Sequence, residues 1–234
     1  PCSEVKINVP EQNWVVFPDT IANTNENIRR ITVSDYNLKE TDFKEIKVQY
    51  RRTNGDGAWI EIQDTSTQYN PNWSGFNGDP PPPGTPLLEQ GFTQFFWDTQ
   101  GLEDDAYEIR AVTNCTGDAA GKSGYSEIIK GKIDRQPPSL VGVPQPSDGV
   151  YHVGDEISFT FNQDINCNRV QEITNVELID ATTNQTMDIV ATCVGNKIVI
   201  DPSFVNSTFE NKIIRAELHN IQDITGNIMA AADW

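Results

Sequence analysis

Apolar residues in this chain come in short runs that alternate with polar ones, and Gly, Pro, Asn or Asp cuts each run off within a few residues. Period-two alternation puts successive side chains on opposite faces, which is the pattern of a half-buried strand and not of a helix. It is clear at residues 28–33, 46–51 and 59–62, then at 95–97, 107–112 and 125–129. It resumes at 156–161, 176–179, 187–190, 197–200 and 213–218. Residues 38–46 carry apolar residues at helix-like spacing (Leu38, Phe43, Ile46), but the stretch is too short and uncapped for more than a turn or two. Many short strands separated by turn residues predict an all-β chain built as β-sandwiches. One face of the strands collects Tyr50, Trp97, Tyr107 and Ile109, and a second set collects Phe159, Phe161, Ile198, Ile200 and Ile214. These are the expected cores.

Turn chemistry supplies the punctuation. Asn54-Gly55-Asp56-Gly57 lies between two alternating runs, and its Asn-Gly and Asp-Gly steps supply the positive φ of a tight hairpin. Asp134-Arg135-Gln136-Pro137-Pro138 removes two backbone donors and stiffens the chain, so it reads as a short linker between a domain at 1–134 and another at 135–234. Residues 64–94 break the rhythm. They hold Tyr69, Trp73, Phe76 and Pro80-Pro81-Pro82-Pro83 and read as a long insertion, which in a compact domain is a functional or a disordered element. Two roles fit: a segment folded back over its own sandwich with Trp73 and Phe76 buried, or an aromatic contact surface for a glycan or a protein.

The four cysteines are Cys2, Cys115, Cys167 and Cys193, with no Cys-x-x-Cys and with His152 and His219 far from any of them in sequence. That argues against a zinc site and for disulfides. Three pairings are possible, and Cys2–Cys115 with Cys167–Cys193 keeps each bridge on one side of the linker. The implied compartment is oxidising, either extracellular or the cell surface.

A net charge of −17, from 17 basic and 34 acidic residues, repels phosphate backbones and excludes nucleic acid as a partner. The acidity is spread evenly: 13 basic against 21 acidic residues through Arg135, and 4 against 13 after it. No apolar run approaches the ~20 residues of a membrane span. Pro1-Cys2-Ser3 opens the chain without an apolar leader, as expected of a mature or internal piece of something longer.

Catalytic chemistry finds no footing. Neither histidine lies near a Gly-x-Ser-x-Gly pattern, and no Gly-rich phosphate loop is present. The pairs Asp104-Asp105 and Asp155-Glu156 sit where strand alternation or a turn leaves them in water. No cofactor is expected. Calcium is the one ligand with a case, from oxygen-rich turns at residues 54–56, 79, 103–105, 148 and 223–227, but none forms an EF-hand, and Asp and Asn close turns on their own backbone anyway. Asn72, Asn114, Asn184 and Asn206 begin Asn-x-Ser/Thr sequons, which matter only in a eukaryotic source.

The second half resembles the bacterial immunoglobulin-like domains of surface-layer and adhesin type. The resemblance rests on Pro137-Pro138, on Pro146-Ser147-Asp148-Gly149-Val150, on the run Gly154-Asp155-Glu156-Ile157-Ser158-Phe159-Thr160-Phe161, and above all on the D-x-x-G-N turn Asp223-Ile224-Thr225-Gly226-Asn227. The first half is similar to a fibronectin type III or related immunoglobulin-like sandwich, through Val48-Gln49-Tyr50-Arg51 with Trp59, Phe96-Trp97-Asp98, Tyr107-Glu108-Ile109-Arg110-Ala111 and Gly124-Tyr125-Ser126. It departs from that pattern in its long insertion and weak first strand. The resemblance implies two tandem sandwiches in a structural or adhesive segment of a large secreted or cell-surface bacterial protein, part of a repeat array or fibre and not an enzyme. The alternative is an accessory carbohydrate-binding module of a secreted enzyme, with Tyr69, Trp73 and Phe76 as its binding residues. In the family the D-x-x-G-N turn precedes one more strand, and only seven residues follow Asn227 here. The second domain is therefore expected to stop short of its last strand, which later residues or a neighbouring copy would supply by strand addition.

Overall fold

The computed structural model describes residues 2–16, 27–54, 57–62, 67–117, 120–170, 175–201, 203, 209–210 and 212–233. The fold is all β, with only short helical turns besides strands among the described residues, and it divides into two compact units, Pro1–Asp134 and Arg135–Trp234. The division falls beside the Pro137-Pro138 segment.

The first unit holds β1 (Lys6–Val9), β2 (Trp14–Val16), β3 (Ile28–Ser34), β4 (Phe43–Arg52), β5 (Ile60–Glu61), β6 (Thr67–Tyr69), β7 (Phe92–Asp98), β8 (Asp105–Cys115), β9 (Ser123–Tyr125) and β10 (Ile129–Ile133). One sheet runs β1-β3-β7; the other runs β2-β10-β8-β4-β5, with β6 also on β4 and β9 also on β8. Alternation delivers Ile31, Val33, Phe95 and Trp97 from the first sheet and Ile46, Val48, Tyr107, Ile109 and Ile133 from the second into one core. Trp97, 2% exposed, lies at its centre with ring centroids of Tyr50, Trp14 and Tyr107 at 4.9, 5.7 and 6.1 Å. Tyr50 is half-buried and packs against this core from its edge. β2 runs parallel to β10, and Gly131 makes that approach possible: a Cβ there would lie 2.1 Å from the Trp14 ring.

Two expectations need correction here. Residues 125–129 are not one strand. The Ser126 hydroxyl accepts a hydrogen bond from the Ala111 amide while the Ser126 amide donates to the Ala111 carbonyl, so pairing is interrupted between β9 and β10. Residues 67–94 are not a structureless loop either. Thr67–Tyr69 satisfies the backbone of β4, and Asn70, fully buried, donates its side-chain amide to the Glu40 and Phe43 carbonyls. The proline-rich return is then pinned by Tyr69 donating to the Pro86 carbonyl and Leu88 to the Tyr69 carbonyl. A three-residue strand is too short for its period to register in sequence. The expected hairpin is present as the antiparallel β4–β5 pair, Gln49 opposite Glu61; Gly55 and Asp56 at its tip lie outside the described residues.

The second unit holds β11 (Ser158–Thr160), β12 (Val176–Asp180), β13 (Gln185–Met187), β14 (Ala191–Val194), β15 (Lys197–Ile200), β16 (Ile214–Leu218) and β17 (Ala232–Asp233). Its sheets run β11-β15-β14 and β13-β12-β16-β17. Phe159, Phe161, Ile198 and Ile200 pack from one sheet against Val176, Leu178, Ala216 and Leu218 from the other, with Ile214 half-buried beside them. The strand expected at 187–190 ends at Met187, because the chain there crosses between sheets and carries Ile189 through the core. β17 is two residues long and pairs with β16 at Glu217 and Leu218 alone.

Candidate binding surface

Cys2 is bonded to Cys115 and Cys167 to Cys193, with Cα separations of 5.8 and 5.3 Å, and no described cysteine is free. The first bridge ties the chain's start to the end of β8. The second ties the turn after β11 to β14.

Tyr69, Trp73 and Phe76 do come together, each half-buried. Tyr69 and Trp73 are near parallel, 29° apart with centroids at 6.3 Å, whereas Phe76 stands at 76° to Trp73. The three rings are therefore not coplanar. Trp73 is also held on several sides. Its Nε1 donates to Thr116 Oγ1 at 2.8 Å, the Lys44 ammonium lies 5.4 Å from its centroid, and a Cβ on Gly75 would fall 2.2 Å from its ring. Stacking on a sugar needs an open ring face. The geometry resembles a clamp on the insertion more than a platform.

The aromatic surface that sequence reading missed lies on the other face of β4 and β8. The Arg51 and Arg110 guanidinium carbons lie 4.4 and 4.1 Å from the Trp59 ring centroid, and Arg110 is also 4.6 Å from the exposed ring of Tyr125. Gln49 accepts from Arg110 Nε at 3.0 Å, which sets the guanidinium plane. Arg51 pairs with Glu108 at 2.7 Å, and Lys130 approaches that carboxylate at 3.4 Å. Burial pushes the Glu108 pKa up, but the hydrogen bonds and charge of Arg51 and Lys130 outweigh it and hold the carboxyl below its ordinary range. Each interlayer of cation and ring is worth roughly 0.5–2 kcal/mol. The only signal in sequence was the polar half of the alternation, at residues 49, 51, 108 and 110. Its meaning depends on a β4–β8 register in which Gln49 faces Arg110 and Arg51 faces Glu108.

The acidic turns are occupied by the protein itself. Asp223 Oδ1 accepts from the amides of Thr225, Gly226 and Asn227 and from the Thr225 hydroxyl, while Oδ2 accepts from the side-chain amides of Asn227 and Gln163. Six donors on one buried carboxylate explain the D-x-x-G-N pattern as a structural knot, with Gly226 at φ +103° closing the turn. Asp148 accepts from the Val150 amide, Glu103 and Asp105 face Arg52, and Glu156 pairs with Lys197. Asp56 and Asn206 lie outside the described residues. His152 faces Asp155, and His219 lies 3.2 Å from Glu217. Among the described residues no group of three or more His, Cys, Asp or Glu is placed to hold a metal ion, and no described helix is long and apolar enough to cross a membrane. No protein-family model matches the chain, and no curated protein matches it.

Proposed function

We propose that this chain is a structural or adhesive segment of a bacterial extracellular or cell-surface protein, made of two immunoglobulin-like sandwiches in tandem. The observation that carries the reading is the placement of the bridges. Cys2–Cys115 spans 113 residues of the first unit, so a pull along the chain bypasses nearly all of that sandwich through one covalent bond. Cys167–Cys193 shields 26 residues of the second unit in the same way. The oxidising compartment the bridges need agrees with a location outside the cell.

Single-molecule pulling tests this. With the bridges intact, the first unit should release only the residues outside its 113-residue loop. Reduction should add roughly 3.4 Å for each residue freed. Full extension of the oxidised chain would sink the structural reading. The accessory carbohydrate-binding reading draws on the near-parallel Tyr69 and Trp73 rings alone. Oligosaccharide capture on a glycan array, lost in Trp73→Ala, would replace the adhesive reading with that one.

A further inference from the structure

An arginine taken partly out of water needs a counter-charge, or acceptors for its N–H groups. On the outward face of β4, β8 and β10 the other cations have one. Lys47 lies 2.9 Å from Glu61, Arg51 and Lys130 lie 2.7 and 3.4 Å from Glu108, and Lys132 lies 2.8 Å from Asp134. Arg110 differs. It is half-buried, opposite Gln49 in the β4–β8 register, and among the described residues no carboxylate pairs with it. Its Nε donates to Gln49 Oε1, and its two Nη groups have no acceptor among the described residues. Burial pushes its pKa down, the Tyr125 phenol opposes this, and the like charge of Arg51 pushes it down further. The cation stands without the charge that would offset its lost hydration.

The same side chain is held in one orientation. Its guanidinium carbon lies 4.1 Å over the Trp59 ring and 4.6 Å over the Tyr125 ring, so two rings flank it. Gln49 fixes its rotation about Nε. The edge that carries the two Nη groups is what remains for a ligand. Tyr125 is 57% exposed, so the stack opens to water at that end.

We propose that Arg110 is a receptor for a carboxylate of a partner protein, the side chain of a Glu or Asp, taken up edge-on between the Trp59 and Tyr125 rings. A carboxylate is planar and meets a guanidinium through two parallel N–H···O bonds in one plane, the plane that flanking rings leave free. Sulfate and phosphate are tetrahedral and do not lie in it. A stacking sugar needs an open ring face, and at Trp59 both Arg51 and Arg110 already sit over the ring. A Glu or Asp reaches in on a slim methylene stem, whereas a sugar acid carries its carboxylate on the ring itself. Charge narrows the partner further: a net charge of −17 repels a polyanion, and a lone carboxylate on a weakly charged segment is repelled least. The inference names a partner chemistry for the adhesive reading and rests on it. Binding is measured directly, so its failure leaves the pulling experiment standing.

The probe is the blocked tripeptide acetyl-Thr-Glu-Thr-amide, titrated into isotope-labelled protein while the Arg110 Nε–H and Trp59 indole N–H resonances are followed. Both should shift to saturation, and the same peptide with Gln in place of Glu should bind at least about tenfold more weakly. Arg110→Lys keeps the charge and loses the planar fork, so the Trp59 shift should then need at least about fivefold more peptide. Should that variant fail to fold, Gln49→Ala leaves Arg110 in place, frees its plane and should weaken binding by about threefold. The proposal is overturned if neither resonance shifts to saturation, or if Arg110→Lys binds as well as the parent. It is equally overturned if sodium sulfate displaces the peptide at matched concentration, which would mean a general anion site. Tighter binding of a methyl glucuronide than of the tripeptide overturns it too, in favour of an acidic glycan.

Discussion

Two residues carry disproportionate weight, for different reasons. Trp97 fills the first core and touches three other aromatic rings. Trp97→Ala removes that packing and leaves a large cavity, so the first unit should lose about 3–5 kcal/mol in urea unfolding. A loss under about 1 kcal/mol would contradict its burial. Asp223 works by acceptance, not by volume. Asp223→Ala strands the Thr225, Gly226 and Asn227 amides together, at roughly 1–3 kcal/mol for a group left buried without a partner. Asp223→Asn keeps one oxygen for those amides and should cost less, since the side-chain amides of Asn227 and Gln163 can turn to offer oxygens. Losses under about 0.5 kcal/mol for both variants would show that the knot is unimportant. Alternation already marked Trp97 as a core residue. The role of Asp223 was hidden, because an acidic turn reads the same in sequence whether it holds a cation or its own backbone.

Elements are held by pairs that cross between them. On β12, Asp180 faces Lys212 at 3.0 Å and accepts from the Thr182 and Thr183 amides. Lys212 first, then those amides, hold its carboxyl below the ordinary 3.8. A depressed folded pKa means stability that is fully present above the ordinary value and lost as acid protonates the group through its folded value. The second unit should therefore weaken as pH falls below about 4. Lys212→Met should lower its urea midpoint at about pH 6, and the gap to the parent should narrow at about pH 3. A gap of the same size at both would rule the ion pair out as the cause. β6 teaches the opposite lesson about legibility. Thr67-Gln68-Tyr69 has no period to read, and it became a strand because β4 had backbone groups to satisfy.

At the scale of the whole molecule, each unit carries its own covalent staple. Loops of 113 and 26 residues correspond to about 4.8 and about 3.5 kcal/mol of unfolded-state entropy in the chain-entropy account. Replacing Cys2 and Cys115 with serine should lower the calorimetric transition of the first unit, and replacing Cys167 and Cys193 that of the second. A double variant that moved the other unit's transition would contradict the division at Asp134. The β-class of the chain, the two core residue sets and the stiff segment at Pro137-Pro138 were determined by sequence, because alternation and proline act within a few residues of where they stand. The tertiary structure decided which strands pair and in what register. It stacked Arg51, Trp59, Arg110 and Tyr125, and turned Phe76 out of the plane of Trp73. Each of these joins or separates residues far apart in the chain. Local pattern carries no information about such distances, since the free energy that chooses among pairings comes from burying both sheets at once.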